Sequence, residues 1–309
     1  MQLFVEALQK MSLGEEAERL FHGRGGMYSG CEHLCLDWFP PVLLLTSFKA
    51  ISDDDVAYLS DAINRRFISA DGESLNIVFQ HRCAGQTQTE LLQGQVPESH
   101  YVIENGAKFQ VHLLRGQNHG LFLDMRAGRA WVKQHSHQAK VLNLFAYTCG
   151  FSVMALQGGA DGVVNIDMSK GALAIGKQNH LLNDLPHGAR FLGHDIFKSW
   201  GKLTRFGPYD LIIADPPSNQ RGSFVATKDY ARLLKRLPTL LSEQGDLLLC
   251  LNAPELGIDF LKQQVEEFSP DLVFIEQLAN PEVFTDKDPN KALKVLRYRH
   301  ANSSEALTF

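Results

Sequence analysis

The sequence predicts a doubly wound α/β domain with a seven-stranded sheet, preceded by a small α+β domain, on three observations. From residue 141 onward short apolar runs alternate with stretches of helical periodicity, a rhythm that calls for a parallel sheet covered on both faces. The first third mixes alternating and helical patterns without that rhythm, as an α+β unit does. A chain of 309 residues, 44% hydrophobic and 21% charged, has enough apolar material for one large or two medium cores. That balance excludes a disordered, fibrous or disulfide-scaffold protein.

Leu3, Phe4, Ala7, Leu8 and Met11 are helically spaced, which predicts an N-terminal helix over residues 1–16. Ala17, Leu20 and Phe21 continue with a second helical run, and FHGRGG reads as a turn. Residues 35–46 read as strands broken by Pro40-Pro41, and Ser52 followed by three aspartates caps a helix to about residue 65. Residues 75–80 and 109–114 alternate as strands, with 86–100 a polar connecting loop, so the small α+β domain spans 17–115. The larger domain then occupies 116–309, with strands at 141–145, 163–167, 190–192, 211–214, 247–251, 272–277 and 293–299. Its first helices fall at 152–158 and 170–183.

Composition narrows the function classes. No apolar run is long enough to cross a bilayer, and the N-terminal stretch carries acids through its apolar positions, so a cytoplasmic location is expected. Five cysteines without a C-x-x-C pair fit reduced thiols. Cys31-Glu-His33-Leu-Cys35 is metal-like, but no second ligand pair stands at zinc spacing, so no metal is expected. With a net charge of −5, any nucleic-acid binding needs a local basic patch. Arg126, Arg129, Lys133, Arg221, Lys228, Arg232, Lys235 and Arg236 are its candidates, the last few being equally a solvated helix face.

Ligands in doubly wound sheets lie at the carboxyl ends of the strands, so the residues there come first. Phe145-Ala146-Tyr147-Thr148-Cys149-Gly150 follows the first strand, and Asp167 ends the second, seventeen positions past Gly150. A turn open to a ligand and an acid at the next strand end suit a nucleoside, whose ribose hydroxyls the carboxylate accepts. A dinucleotide needs G-x-G-x-x-G for its pyrophosphate, and only Gly150 is present. Retention of the ribose acid without the phosphate cradle favours S-adenosylmethionine. An ordinary strand-turn-helix with a solvated Asp satisfies the same residues. Asp195, within Gly193-His194-Asp195-Ile196, is either an acceptor for the adenine amine or a helix cap. The sharpest signal is Asp215-Pro216-Pro217-Ser218: two prolines make a rigid turn with unpaired carbonyls. An Asp there can accept from a planar exocyclic amine or share in its deprotonation.

Glu104-Asn-Gly106, Gly120-Leu-Phe-Leu-Asp124-Met-Arg126-Ala-Gly-Arg129, NLFAYTCGFS, Asp167-Met168-Ser169, Asp215-Pro-Pro-Ser and Lys228-Asp-Tyr230 occur in this order. Together they resemble class I S-adenosylmethionine-dependent methyltransferases of the large-subunit ribosomal RNA group, the RlmI and RlmK type, over roughly residues 20–300. The resemblance implies a Rossmann-like catalytic domain, S-adenosylmethionine as cofactor with S-adenosylhomocysteine as product, and ribosomal RNA as partner. It further implies that the small domain contacts substrate and that the RNA-binding PUA domain of RlmI-type chains has no room here. Arg126 and the loop Phe145, Ala146, Tyr147, Thr148 and Gly150 would hold the methionine portion, and Asp124 would shape that end. Asp167 with Met168 and Ser169 would bind the ribose, Asp195 with His194 and Ile196 the adenine. Asp215, with Pro216 and Pro217, would face both the sulfonium and the target base.

Two residues depart from the family's pattern: Cys149 stands where glycine is usual, and Asn219 where an aromatic often stacks a flipped base, a role open to Phe224. Cytosine enzymes of the family carry a nucleophilic cysteine that aligns with Asn252, whereas Cys250 lies about 7 Å deeper along the strand among leucines. Cys250 therefore reads as core. Guanine-modifying relatives carry Asn in this region, so the expected target is a base nitrogen rather than cytosine carbon-5. A small-molecule or protein methyltransferase, and a cofactor-binding protein without turnover, stay open, as does a homodimer.

Overall fold

The computed structural model describes residues 1–67, 75–220 and 222–300. They form two compact units, one of residues 1–126 with 281–289, the other of 127–280 with the segment from Asn290 on. The boundary expected from the sequence falls at 116, with 281–289 in the larger domain.

In the first unit a five-stranded sheet runs in spatial order β1 (Glu18–His22), β2 (Leu34–Phe39), β3 (Val42–Ser47), β4 (Asn76–Cys83), β5 (Gln86–Gln93). Helices α1 (Gln2–Leu8) and α2 (Asp53–Phe67) supply Phe4, Leu8, Leu59 and Ile63 to a core with Phe21, Leu36, Leu43, Leu45 and Phe79. The start of α2 is the cap that its sequence announces. Asp55 N donates to Ser52 Oγ at 3.2 Å, and Ser52 N returns a bond to Asp55 Oδ2 at 3.4 Å. A separate hairpin joins β6 (Tyr101–Glu104) to β7 (Ala107–Gln110) through Asn105-Gly106, both at positive φ (50° and 75°), as a primed turn requires.

Four local expectations are corrected here. Helix α1 fills only part of 1–16. Residues 18–22 are a strand, not a helix: a bulge between Arg19 and Phe21 breaks the period of two and leaves an apolar spacing that imitates a helix. Residues 86–93 are a strand, not loop. β5 is a polar edge strand, and its turn, Ala84-Gly85 at φ 51° and 75°, lacks the asparagine that usually advertises such a hairpin. The strand expected at 109–114 ends at Gln110.

The second unit carries α3 (Arg126–His135, whose first residue belongs to the first unit), β8 (Lys140–Leu144), α4 (Gly150–Gln157), β9 (Gly162–Asp167), α5 (Lys170–Leu182) and β10 (Ala189–Gly193). There follow α6 (Trp200–Phe206), β11 (Tyr209–Ala214), the short ribbon β12 (Asn219–Gln220) and β13 (Phe224–Val225), and α7 (Ala226–Leu234). Last come β14 (Leu241–Leu251), α8 (Ile258–Phe268), β15 (Leu272–Gln277) and β16 (Lys294–His300). All seven expected strands exist, in the order β10-β9-β8-β11-β14-β16-β15. The sheet is not wholly parallel, since β16 runs antiparallel to both β14 and β15. Asp246 on β14 holds that reversed strand, bonding Arg297 and Arg299 at 3.0–3.1 Å.

The chain winds outward from β8 to β10, then returns to β11 on the other side of β8. The order reverses between β8 and β11, and a crevice opens at their carboxyl ends where the following loops part in opposite directions. Behind it lies a buried polar chain. Asn143 Nδ2 donates to Asn165 Oδ1, Asn165 Nδ2 to Ser152 Oγ, and Ser152 Oγ meets His180 Nε2, each at 2.9 Å. His180 Nδ1 lies 2.7 Å from Gly176 O, so the proton is on Nδ1 and Nε2 accepts from Ser152. Burial lowers the histidine's proton affinity, which keeps this directional chain intact at neutral pH.

Candidate active site

Strand ends deliver the acids. β9 ends on Asp167, half-buried, and its carboxylate accepts Tyr147 N at 2.9 Å and Ser169 N at 2.7 Å. One carboxylate therefore orders both the loop after β8 and the turn into α5, and each oxygen keeps a further lone pair for a hydroxyl donor. Ser169 caps α5 through Ala172 N, and Met168 is exposed beside it. Past β10, Asp195 caps the turn Ile196–Lys198 through Phe197 N at 2.9 Å, so the capping role is realised. His194 is exposed, whereas the Ile196 side chain belongs to the core and leaves only its backbone to a ligand.

The loop after β8 is strained in a particular way. Phe145, Tyr147 and Cys149 all take positive φ (56°, 46° and 61°), a conformation that non-glycine residues adopt at a cost of about 1 kcal/mol or more each. Alternating residues of this kind turn successive backbone N–H groups toward one side, and such concavities collect electron-rich groups. Ala146 and Thr148 are buried, and Gly150 opens α4. Cys149 is wholly buried, its thiol pushed up by burial and by Asp167. It fits because residue 176 of α5 is glycine: a Cβ there would lie 2.5 Å from Cys149 Sγ and 3.0 Å from its Cβ. Gly176→Ala is expected to destabilise by about 1–3 kcal/mol through overpacking, although alanine is the better helix former. With Cys149→Gly the nearest obstacle becomes Thr148 C at 3.3 Å, and a double-mutant cycle by urea unfolding should show coupling of about 1 kcal/mol or more. Strict additivity sinks this pairing.

Asp215 and Pro217 are half-buried and Pro216 is buried where β11 runs out. Ser218 Oγ donates to Asn252 O, tying the D-P-P-S turn to the end of β14, and Asn252 itself is exposed. One residue on, Lys294 of β16, only 1% exposed, donates its ammonium to Ala253 O at 3.0 Å. Consecutive carbonyls of the Asn252 loop are thus held by side chains from two other elements. Beneath them the Tyr230 hydroxyl donates to Cys250 O, and burial keeps that phenol protonated far above its usual range, with Cys250 and Asp215 adding to the effect. Cys250 is fully buried, as its place among leucines implies. Phe224 is not available to a base: it is wholly buried, edge-on to Phe145 at 5.2 Å and to Tyr230 at 5.1 Å.

The crevice thus gathers Phe145–Gly150, Asp167–Ser169, His194–Ile196, Asp215–Pro217 and Asn252 at the ends of five neighbouring strands. Asp124 and Arg126 fall in the first unit. There Arg126 pairs with Glu16 at 2.5 Å and donates to Ala17 O at 3.1 Å, while the same Glu16 carboxylate accepts Asn105 N and Gly106 N at 3.0–3.1 Å. Glu16 joins two of the resemblance motifs, and nothing in its local sequence marks it. Of the expected basic patch, Lys228, Lys235 and Arg236 are exposed. Arg129 is buried, Lys133 donates to Gln157, Arg232 pairs with Asp229 and covers Phe197, and Arg221 lies outside the described residues.

The residues suit an adenosyl sulfonium: strand-end carboxylates for hydroxyls and a cation, a strained loop for close approach, and only one glycine where a pyrophosphate would need several. Among the described residues no group of three or more His, Cys, Asp or Glu is arranged to hold a metal, and no helix is long and apolar enough to cross a membrane. Comparison with known proteins agrees with this chemistry. Residues 18–299 match the family of S-adenosylmethionine-dependent methyltransferases. The chain is 38% identical over 168 residues to ribosomal RNA large subunit methyltransferase I of Tolumonas auensis, covering 52% of this chain and 42% of that protein. It is 35% identical over 223 residues to ribosomal RNA large subunit methyltransferase K/L of Alteromonas mediterranea, covering 69% and 30%. The matched part is therefore well under half of either relative. Among solved structures, SMU.776 complexed with SAH superposes with a TM-score of 0.81 at 26% identity, covering 96% of this chain and 81% of that one. A SAM-dependent methyltransferase from Agrobacterium tumefaciens shares the fold at TM-score 0.66 and 19% identity, with coverage of 94% and 91%. Strand ends, crevice and family match converge, and the chain belongs to the S-adenosylmethionine-dependent methyltransferases.

Proposed function

We propose that this chain transfers a methyl group from S-adenosylmethionine to a base nitrogen, of guanine, in large-subunit ribosomal RNA. The carrying observation is that the exposed Asn252 stands beside the D-P-P-S turn while Cys250 is fully buried. A thiol sealed among leucines is a poor nucleophile for cytosine carbon-6. An exposed carboxamide offers both donor and acceptor to a guanine edge. The ribosomal RNA relatives support the class of substrate.

When bound, the cofactor supplies a methyl group on an electron-poor sulfonium. The chain's own residues do the rest. Asp167 accepts from the ribose hydroxyls, with Met168 and Ser169 beside it. Asp195, His194 and Ile196 receive the adenine, the Ile196 contribution being backbone. Phe145, Ala146, Tyr147, Thr148 and Gly150 hold the methionine portion. Asp215 accepts a proton-bearing nitrogen of the incoming base and takes up its proton as the methyl arrives, while Pro216 and Pro217 fix the carboxylate's direction. Alignment in a dry crevice provides most of the acceleration, since methyl transfer asks for no covalent help from the protein.

Mass spectrometry of ribosomal RNA nucleosides from a strain lacking this gene, beside its parent, tests the reading. Loss of one N-methylated guanosine is expected. Loss of 5-methylcytidine overturns the choice of atom, and an unchanged nucleoside profile overturns the choice of RNA. In the same reading Cys250→Ser keeps turnover within about threefold, with a stability cost of about 1–3 kcal/mol for a hydroxyl among leucines. A covalent adduct between Cys250 and RNA containing 5-fluorocytosine contradicts it.

A further inference from the structure

The FHGRGG segment is a built feature of the first unit. Gly23, Arg24 and Gly25 form a single tight turn between β1 and β2. A Cβ on Gly23 would lie 2.6 Å from Leu34 O, one on Gly25 would run into Thr285 O, and Gly26 takes φ 74°. The glycines let this backbone pack directly on its neighbours, and Arg24 stands exposed on a seated loop. Phe48 follows β3 and is pinned by its N–H to His33 O at 2.8 Å. In the parallel pairing of β3 with β4, Ser47 lies opposite His81, so the next residues along, Phe48 and Arg82, are neighbours.

Both guanidinium groups converge on that ring. Arg24 Cζ lies 4.2 Å and Arg82 Cζ 5.0 Å from the Phe48 centroid. Arg19 adds a third guanidinium, and Asp37, the carboxylate at hand, spends both oxygens on it at 2.5 and 3.0 Å. Among the described residues neither Arg24 nor Arg82 has a carboxylate within 4.0 Å. Burial, then repulsion from Arg24 and Arg19, lowers the proton affinity of Arg82, the mark of cations left without a counter-charge. In a chain of net charge −5 such an arrangement is unfavourable until an anion arrives.

We infer that Arg24 and Arg82, held against Phe48 in the first unit, form a docking point for the phosphodiester backbone of RNA. The inference rests on the RNA reading above. Guanidinium forks match phosphate oxygens bidentately, and a half-buried aromatic floor keeps both cations in place before the ligand arrives.

The test is fluorescence anisotropy with transcribed large-subunit ribosomal RNA fragments over a series of salt concentrations. It compares wild type, Arg24→Ala, Arg24→Ala/Arg82→Ala and Arg24→Lys/Arg82→Lys, with S-adenosylhomocysteine binding measured in parallel. The double alanine variant should bind RNA about tenfold or more weakly, and its slope of log K against log salt should be shallower by about 1–2. The lysine pair should keep most of the slope, and affinity for the nucleoside should not move. Arg24→Ala alone, at an exposed position, gives half of this effect and guards against misfolding of the double variant. If wild type binds RNA and the alanine variants bind it equally well with the same slope, the docking point is wrong while the RNA reading stands. If wild type binds no RNA even at the lowest salt concentration, both fall.

Discussion

Asp215→Ala is expected to lower methyl transfer by about 10²–10⁴-fold, the usual contribution of a positioned proton acceptor. Cofactor affinity should stay within about threefold. The split follows from where the residue stands. Asp215 directly follows β11, on the far side of the reversal point from β9, which ends on Asp167, and from β10, which Asp195 follows. Its proposed partner is the incoming base, not the ribose or adenine. Asp215→Asn keeps an oxygen acceptor but cannot take up a proton, and should fall between alanine and wild type. Single-turnover transfer of radiolabelled methyl groups, with isothermal titration of S-adenosylhomocysteine, reads both quantities. An alanine variant that transfers at the wild-type rate, or that loses transfer only in proportion to lost cofactor, removes Asp215 from the chemistry.

Asp167→Ala should do the reverse. Hydrogen bonds to a charged acceptor contribute about 1.5–3 kcal/mol, so the dissociation constant for S-adenosylhomocysteine should rise by about 10- to 150-fold. The change also strips Tyr147 N and Ser169 N of their acceptor, so the loop after β8 loses the contact that ties it to the end of β9. Hydrogen exchange of residues 145–150 should therefore quicken in the variant even without ligand. Asp167→Asn retains an acceptor oxygen and should weaken binding less. Wild-type affinity in the alanine variant would overturn the ribose assignment.

Parts of this site were legible because they obey rules local to the chain. An apolar run, a turn and an acid at the run's end identified Asp167, Asp195 and Asp215 without knowledge of the sheet. The ties between them were not legible. Ser218 meets Asn252 O and Lys294 meets Ala253 O across 34 and 41 residues, and no periodicity reports such a distance. The basic patch was legible only as charge: a list of Lys and Arg does not show whether a carboxylate has already taken it. Arg232 is paired with Asp229, while Arg24 and Arg82, far apart in sequence, have no carboxylate within 4.0 Å among the described residues.

The amino-acid sequence by itself determined the number and position of the seven strands of the larger sheet, the acids at their ends, the absence of a pyrophosphate cradle and the core character of Cys250. Each of these follows from burial and turn chemistry within a few residues. Only the tertiary structure decided the direction of β16, the strand identity of residues 18–22 and 86–93, the burial of Phe224 and the fit of Cys149 against Gly176. Strand direction and edge pairing depend on partners distant in sequence. A bulged or polar strand loses the alternation that would reveal it, and room for a thiol depends on what the facing helix leaves empty.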